Sequence, residues 1–119
     1  MTAMIYGLPN CDTCRKARKW LDRAGIEYRF VDYRAEPIPA ATLAKWARSL
    51  GGWDSLVNKS SSSWRQLDEK QKGARGDAQW TRLIADSPTL VKRPVLVLAD
   101  GSISLGFSAD RFEQRFGRT

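Results

Sequence analysis

Cys11 and Cys14 are the only cysteines in the 119-residue chain, and they stand as Cys11-Asp12-Thr13-Cys14. The apolar run Met4-Ile5-Tyr6-Gly7 precedes them and reads as a strand. Arg15-Lys16-Ala17-Arg18-Lys19-Trp20-Leu21 follows and reads as a helix. Both thiols therefore sit where a turn feeds a helix N-terminus. Backbone N–H groups there lack partners and carry a partial positive charge. Such a site stabilises the thiolate, the reactive form of cysteine. The chemistry this spacing serves is thiol exchange, with Cys11 as the attacking thiolate. Cys14, one turn on, is placed to resolve a mixed disulfide at Cys11. Its alternative reading is a small apolar residue on the inner helix face, beside Ala17 and Leu21. Arg15 and Lys16 are expected to lower the Cys11 pKa. Asp12 opposes them or caps the helix. Thr13 either donates a hydrogen bond to the thiolate or fills the turn.

The chain has no histidine. That excludes a Ser-His-Asp triad, a Cys-His nucleophile pair and His-bearing metal sites. Two cysteines cannot by themselves complete a four-thiolate zinc site. A composition of 42% hydrophobic and 28% charged residues is that of an ordinary folded domain. No apolar run approaches the roughly 20 residues that span a bilayer. No basic segment followed by an apolar stretch opens the chain, so a cytoplasmic location is expected, where C-x-x-C is redox-active rather than structural. The net charge of +7 invites a nucleic-acid reading. Basic residues are nevertheless spread from Arg15 to Arg118, and no helix-turn-helix, zinc-finger or aromatic RNP-type signature accompanies them. Local anion chemistry is the expectation, without direct DNA binding. The five tryptophans read as packing residues rather than base-stacking platforms.

The elements that must position the thiols follow from periodicity. Residues 3–7 read as a strand. Residues 12–24 read as a helix with Cys14, Ala17, Trp20, Leu21 and Ala24 on one face, and Gly25 lies just past its end. Residues 26–33 read as a second strand. A strand-helix-strand unit of this length implies a right-handed crossover between parallel strands. Residues 40–50 read as a helix ended by Gly51-Gly52. Residues 55–58 read as a short helix, 59–63 as a polar loop and 77–86 as a further helix. After Pro94, residues 95–98 and 102–105 read as a hairpin closed by a type I′ turn at Asp100-Gly101. Ser108 is placed to cap a last helix.

This order is similar to a thioredoxin-like fold. More narrowly, the chain resembles the arsenate-reductase ArsC/Spx/YffB family. The matching residues are Pro9-x-Cys11-x-x-Cys14-Arg15-Lys16-Ala17, Trp64-Arg65-Gln66-Leu67-Asp68, Ser87-Pro88-Thr89-Leu90-Val91-Lys92-Arg93-Pro94-Val95 and Gly106-Phe107. The YffB branch looks closest, through Asn-Cys-Asp-Thr, Leu-Val-Asn-Lys-Ser and Trp-Arg-x-Leu-Asp-Glu. The resemblance implies one α/β domain over 1–119, with a mixed sheet flanked by helices and a helical insertion at about 38–88. It implies Cys11 as nucleophile, a cis bond before Pro94, and Arg93 reaching toward the sulfur. Cys11, Cys14 and Arg93 are thus the catalytic candidates. Pro94, Thr13, Arg15, Asn58 and Lys59 are the substrate-binding candidates, with solvated loop positions as the other reading of Asn58 and Lys59.

Arsenate reductases of this type cradle the oxyanion with three arginines. Here only Arg93 matches, since Asn58 stands at the first position and Phe107 near the third. A charge-assisted contact contributes about 1.5–3 kcal/mol, so the loss of two argues against arsenate as substrate. The YffB likeness implies a glutathione-dependent thiol reductase with no bound cofactor and glutathione as co-substrate. The Spx likeness implies a regulator that binds the RNA polymerase α-subunit, with the cysteine pair as its switch. A monomer without membrane association is expected in either case.

Overall fold

The computed structural model describes residues 2–117. The chain divides into two compact units, Met1–Asp32 with Arg93–Thr119, and Tyr33–Lys92.

The first unit is built on a four-stranded sheet of order β2-β1-β3-β4. The strands are β1 (Ala3–Gly7), β2 (Tyr28–Asp32), β3 (Val95–Val97) and β4 (Ile103–Leu105). β1 pairs with β2 in parallel, Ile5 opposite Phe30, and with β3 antiparallel, Ile5 opposite Leu96. β4 closes the sheet antiparallel to β3. The sheet is therefore mixed, as an α/β order of β-α-β followed by β-β-α requires. Alternation along β1 buries Ala3, Ile5 and Gly7.

Helix α1 (Asp12–Arg23) buries Cys14, Ala17 and Leu21, the i, i+3, i+7 stripe read from the sequence. Its end is a Schellman motif: Ile26 N–H donates to the Leu21 carbonyl at 3.0 Å and Gly25 N–H to that of Asp22 at 3.1 Å. Gly25 supplies the positive φ of 68° this turn needs. Helix α7, at Ala109–Arg115, is capped by the Ser108 hydroxyl, which accepts from Arg111 N–H at 3.1 Å. Its Phe112 joins Ala3, Ile5, Ala17, Leu21 and Leu96 in the core. Trp20 meets Phe112 edge-on at 5.5 Å, so this tryptophan packs as expected.

The hairpin turn differs from expectation. A type I′ turn needs positive φ at both central residues. Only Gly101 has it, at 86°, and no non-glycine residue among those described does. Gly101 N–H instead donates to the Leu98 carbonyl and Leu98 N–H to that of Ser102, both at 2.9 Å. Ala99, Asp100 and Gly101 thus form a three-residue loop with glycine in the left-handed position. Asp100 Oδ1 holds it by accepting from Ser102 N–H at 2.9 Å.

The second unit is helical. It comprises α2 (Ala40–Ser49), α3 (Trp53–Leu56), α4 (Ser62–Arg65), α5 (Glu69–Lys72), α6 (Gly76–Asp86) and a 3₁₀ turn at Pro88–Leu90. It is wider than the insertion read at about 38–88. The buried Tyr33 hydroxyl donates to the Val91 carbonyl at 2.9 Å and ties the two ends together. Helix α3 starts two residues before its expected position because Gly52, at φ 135°, opens it. The loop read at 59–63 instead supplies the cap of α4: Ser61 Oγ accepts from Trp64 N–H at 3.1 Å. Trp80 is buried between Trp53 and Trp64, with ring centroids 6.1 and 6.3 Å away and planes within 12° of parallel.

Candidate functional site

The strand-to-helix junction of the first unit carries the thiols. Cys11 is the N-cap of α1, with extended backbone at φ −95° and ψ 123°. Its N–H donates to the Leu8 carbonyl at 3.3 Å, and its own carbonyl accepts from Arg15 N–H at 2.9 Å. These two bonds hold the residue at the mouth of the helix. No side chain caps α1. A serine, aspartate or asparagine at this position would fill the first amides with its own oxygen. A cysteine leaves them for its sulfur.

Both cysteines are free thiols, Cys11 half-buried and Cys14 buried. Partial burial works against the Cys11 thiolate. The backbone N–H and side chain of Cys14, with the hydrogen bond and charge of Arg93, outweigh it and hold the Cys11 pKa below the ordinary thiol value. Cys14 goes the other way. Burial, with the hydrogen bond and charge of Cys11 adding to it, pushes its pKa up to about 12, against weaker opposition from the Leu8 backbone and Arg93. Of the two, Cys11 is therefore the one that gives up its proton first. The Arg93–Pro94 peptide bond is cis, and Pro94 is buried.

Gly7, at the end of β1, was not among the residues singled out in the sequence. A Cβ there would lie 2.5 Å from Cys14 Sγ and 3.4 Å from its Cβ. Only a residue without a side chain lets the thiol sit against the strand. The signal available was a glycine ending an apolar strand directly before C-x-x-C. The Leu8 backbone facing Cys14 left no such trace.

The remaining candidates separate. Thr13 is half-buried in the first turn of α1. Arg15 was expected to lower the Cys11 pKa, but its Nη2 donates to Asp12 Oδ1 at 2.7 Å on the exposed surface. The i, i+3 spacing makes this the nearest carboxylate, so the two charges satisfy each other. Asp12 consequently does not cap the helix. Arg18 lies over the Phe30 ring, 4.2 Å from its centroid, and covers β2. Asn58 and Lys59 belong to the helical unit. Asn58 N–H donates to the Leu90 carbonyl at 2.7 Å, and its Oδ1 accepts from Ser60 N–H at 3.0 Å. Lys59 Nζ pairs with Asp54 at 2.8 Å and lies 5.4 Å from the Trp64 ring centroid. Arg65 Nη1 donates to the Ser60 carbonyl at 3.0 Å rather than pairing with Asp68 or Glu69. Among the described residues no three His, Cys, Asp or Glu side chains gather as a metal-holding group. No helix among them is long and apolar enough to cross a membrane.

A model of the ArsC family matches residues 6–115, nearly the whole chain. The chain belongs to the ArsC family. Its relatives include an uncharacterised protein of Haemophilus influenzae, 40% identical over 94% of this chain and 96% of that protein. The global transcriptional regulator Spx of Listeria innocua is 28% identical over 97% of this chain and 89% of its own length. Among solved structures, a YFFB protein superposes with a TM-score of 0.85 at 37% identity, covering 94% of this chain and 96% of that one. An arsenate reductase (ArsC) related protein from Brucella melitensis gives 0.73 at 38% identity, over 98% and 95% of the two chains. This ArsC-family chain thus shares its α/β order with relatives carrying quite different names. The chemistry has to be argued from its own thiols.

Proposed function

We propose that this ArsC-family chain is a thiol–disulfide oxidoreductase with Cys11 as nucleophile and glutathione as reductant. The observation that carries this reading is the opposed ionisation of the two cysteines, Cys11 shifted down and Cys14 up. The Cys11 thiolate attacks one sulfur of a substrate disulfide. A new S–S bond forms, the old one breaks, and the leaving thiolate takes a proton from water. Cys14 then loses its proton to water and attacks the Cys11 sulfur. This releases the second substrate thiolate and leaves a Cys11–Cys14 disulfide. Two glutathione thiols reduce that bond and depart as one glutathione disulfide. The high pKa of Cys14 suits this order. Cys11 contributes to that rise by its hydrogen bond and charge, and the contribution ends once Cys11 is bound in a mixed disulfide.

Arsenate is a poor candidate substrate. Asn58 stands in place of a cation, and Phe107, half-buried, packs edge-on against core Phe112 at 4.8 Å. A second reading is a redox-switched regulator that binds RNA polymerase. The likeness to Spx across 97% of the chain favours it. Either role fits a reducing, cytoplasmic setting.

A disulfide-reduction assay with glutathione, with thioredoxin and, in parallel, with arsenate tests these readings. Turnover is expected with glutathione, background rates with arsenate, and loss of turnover in Cys11→Ser. In Cys14→Ser a glutathione adduct on Cys11 should accumulate in the mass spectrum. Turnover retained by Cys11→Ser would sink the nucleophile assignment. Absence of turnover, together with capture of RNA polymerase by one redox state only, would establish the regulator instead.

A further inference from the structure

The helical unit holds a cleft of about 510 Å³ that the thiol chemistry does not use. Lys70, Arg75 and Arg82 line it, with Gln71, Gln79 and Asp86, over Leu83 and Ala74. Gln79, Arg82 and Asp86 recur at spacings of three and four and form one stripe along α6, and Arg75, the extended N-cap residue of that helix, lines the cleft beside them. Lys70 and Gln71 reach the same cleft from α5.

The floor of this cleft is largely apolar, and the exposed polar side chains around it are mostly donors. Gln71 Oε1 accepts from Asp68 N–H at 2.9 Å, and Gln79 Oε1 accepts from Arg75 N–H at 2.7 Å. Each carboxamide oxygen is thus occupied by a backbone amide, which fixes the orientation and leaves the two NH₂ groups uncommitted. Among the described residues no ion pair takes up Lys70, Arg75 or Arg82. Arg82 and Asp86 are four apart on α6, but in the less favourable order for an ion pair, with the cation N-terminal. Three cations and two amide donors therefore line the cleft against a single carboxylate, that of Asp86. A ligand made of acceptor oxygens fits this set, and a cationic or donor-rich one does not.

We propose that this cleft binds a small polyanion carrying two or more phosphate or carboxylate groups. Its volume falls in the range of small-molecule sites, roughly 300–1,000 Å³. The guanidinium forks of Arg75 and Arg82 take two oxygens each, and Lys70 supplies a point charge. No aromatic side chain lines the cleft, so it offers no platform for stacked bases, which argues against single-stranded nucleic acid. The site lies wholly within residues 70–86 and stands independently of the role assigned to Cys11.

The test is a titration of the ¹⁵N-labelled full chain with inorganic pyrophosphate and, separately, with citrate, at low and at raised NaCl. Saturable binding is expected with a Kd below about 1 mM, weakening with salt, and with shift changes confined to residues 70–86. The double variant Arg75→Gln/Arg82→Gln should weaken it by at least about tenfold. Asp86→Asn should tighten it several-fold, a gain that misfolding does not produce. Lys19→Gln/Arg23→Gln on α1 should leave it unchanged. Tighter binding of pyrophosphate assigns a phosphate ligand, and tighter binding of citrate a polycarboxylate. Shift changes spread equally over α1, an undiminished Kd in the double variant, or no saturation by either anion would overturn the proposal. So would a single-stranded oligonucleotide that binds through the same residues more tightly than pyrophosphate.

Discussion

Helix α1 in the sheet unit and helices α4 and α5 in the helical unit begin in opposite ways. Unlike the equally short α3, the four-residue α4 and α5 are closed by their own side chains. Ser61 accepts from Trp64 N–H, and Asp68 forms a reciprocal capping box with Gln71. A helix of one turn has almost no internal hydrogen bonding to sustain it, so the cap carries much of its stability. The twelve-residue α1 has no side-chain cap, and the residue at its mouth is Cys11. Length and core packing through Cys14, Ala17 and Leu21 let α1 go without one. Its first amides are left for a thiolate. Helices α2, α3 and α6 also start without a side-chain cap, so what sets α1 apart is the thiol at its open mouth.

The two units also use glycine differently, and that contrast yields the largest expected effect on stability. Gly7→Ala would place a Cβ 2.5 Å from buried Cys14 Sγ and should cost about 1–3 kcal/mol. Gly73→Ala has its nearest neighbour, the Glu69 carbonyl oxygen, at 3.5 Å and an ordinary φ of −88°. It should be neutral or stabilise by up to about 1 kcal/mol. Urea unfolding of both variants in the reduced state decides the matter. Equal free energies would mean that the Gly7–Cys14 approach imposes nothing.

A smaller effect sharpens the account of the open helix mouth. Arg93→Gln removes a hydrogen bond and a positive charge that favour the Cys11 thiolate. The Cys11 pKa should rise, so less thiolate is present at any pH below it. Alkylation by iodoacetamide, followed at Cys11 by mass spectrometry, should inflect at higher pH. At neutral pH it should slow by roughly two- to tenfold. Arg15→Gln, which removes a charge already paired with Asp12, should leave that profile in place. If the two variants shift it equally, general positive charge rather than Arg93 sets the reactivity.

The smallest effect concerns a filled cap. Asp68→Ala should destabilise the chain by about 1 kcal/mol in urea unfolding, without changing the Cys11 alkylation profile. A shift in that profile would contradict the separation drawn between structural and reactive helix starts.

Much of the sheet unit was legible in the chain itself. The apolar run in 3–7 and the stripe of Cys14, Ala17 and Leu21 are local patterns, and they mark the strand and the buried face of the helix. Gly25 and Ser108 mark helix ends because their chemistry acts within a few residues. The helical unit was less legible. One-turn helices such as α4 and α5 hold too few residues to show a period. Their signal was the caps Ser61 and Asp68, in a run that otherwise reads as polar loop.

The sequence by itself determined that two thiols meet a helix N-terminus after a strand, in an ArsC-family frame. Strand, turn and helix are neighbours along the chain, so spacing is enough to place them. It did not determine how the charges are shared. Arg15 is one turn from Cys11 in sequence yet spends its charge on Asp12, while Arg93, far along the chain, acts on Cys11. Burial and the pairing of β1 with β3 bring that about, and they also set Gly7 against Cys14 and push the two cysteine pKa values apart. Only the tertiary structure decides such effects, because electrostatics and packing depend on distance in space and not on separation along the chain.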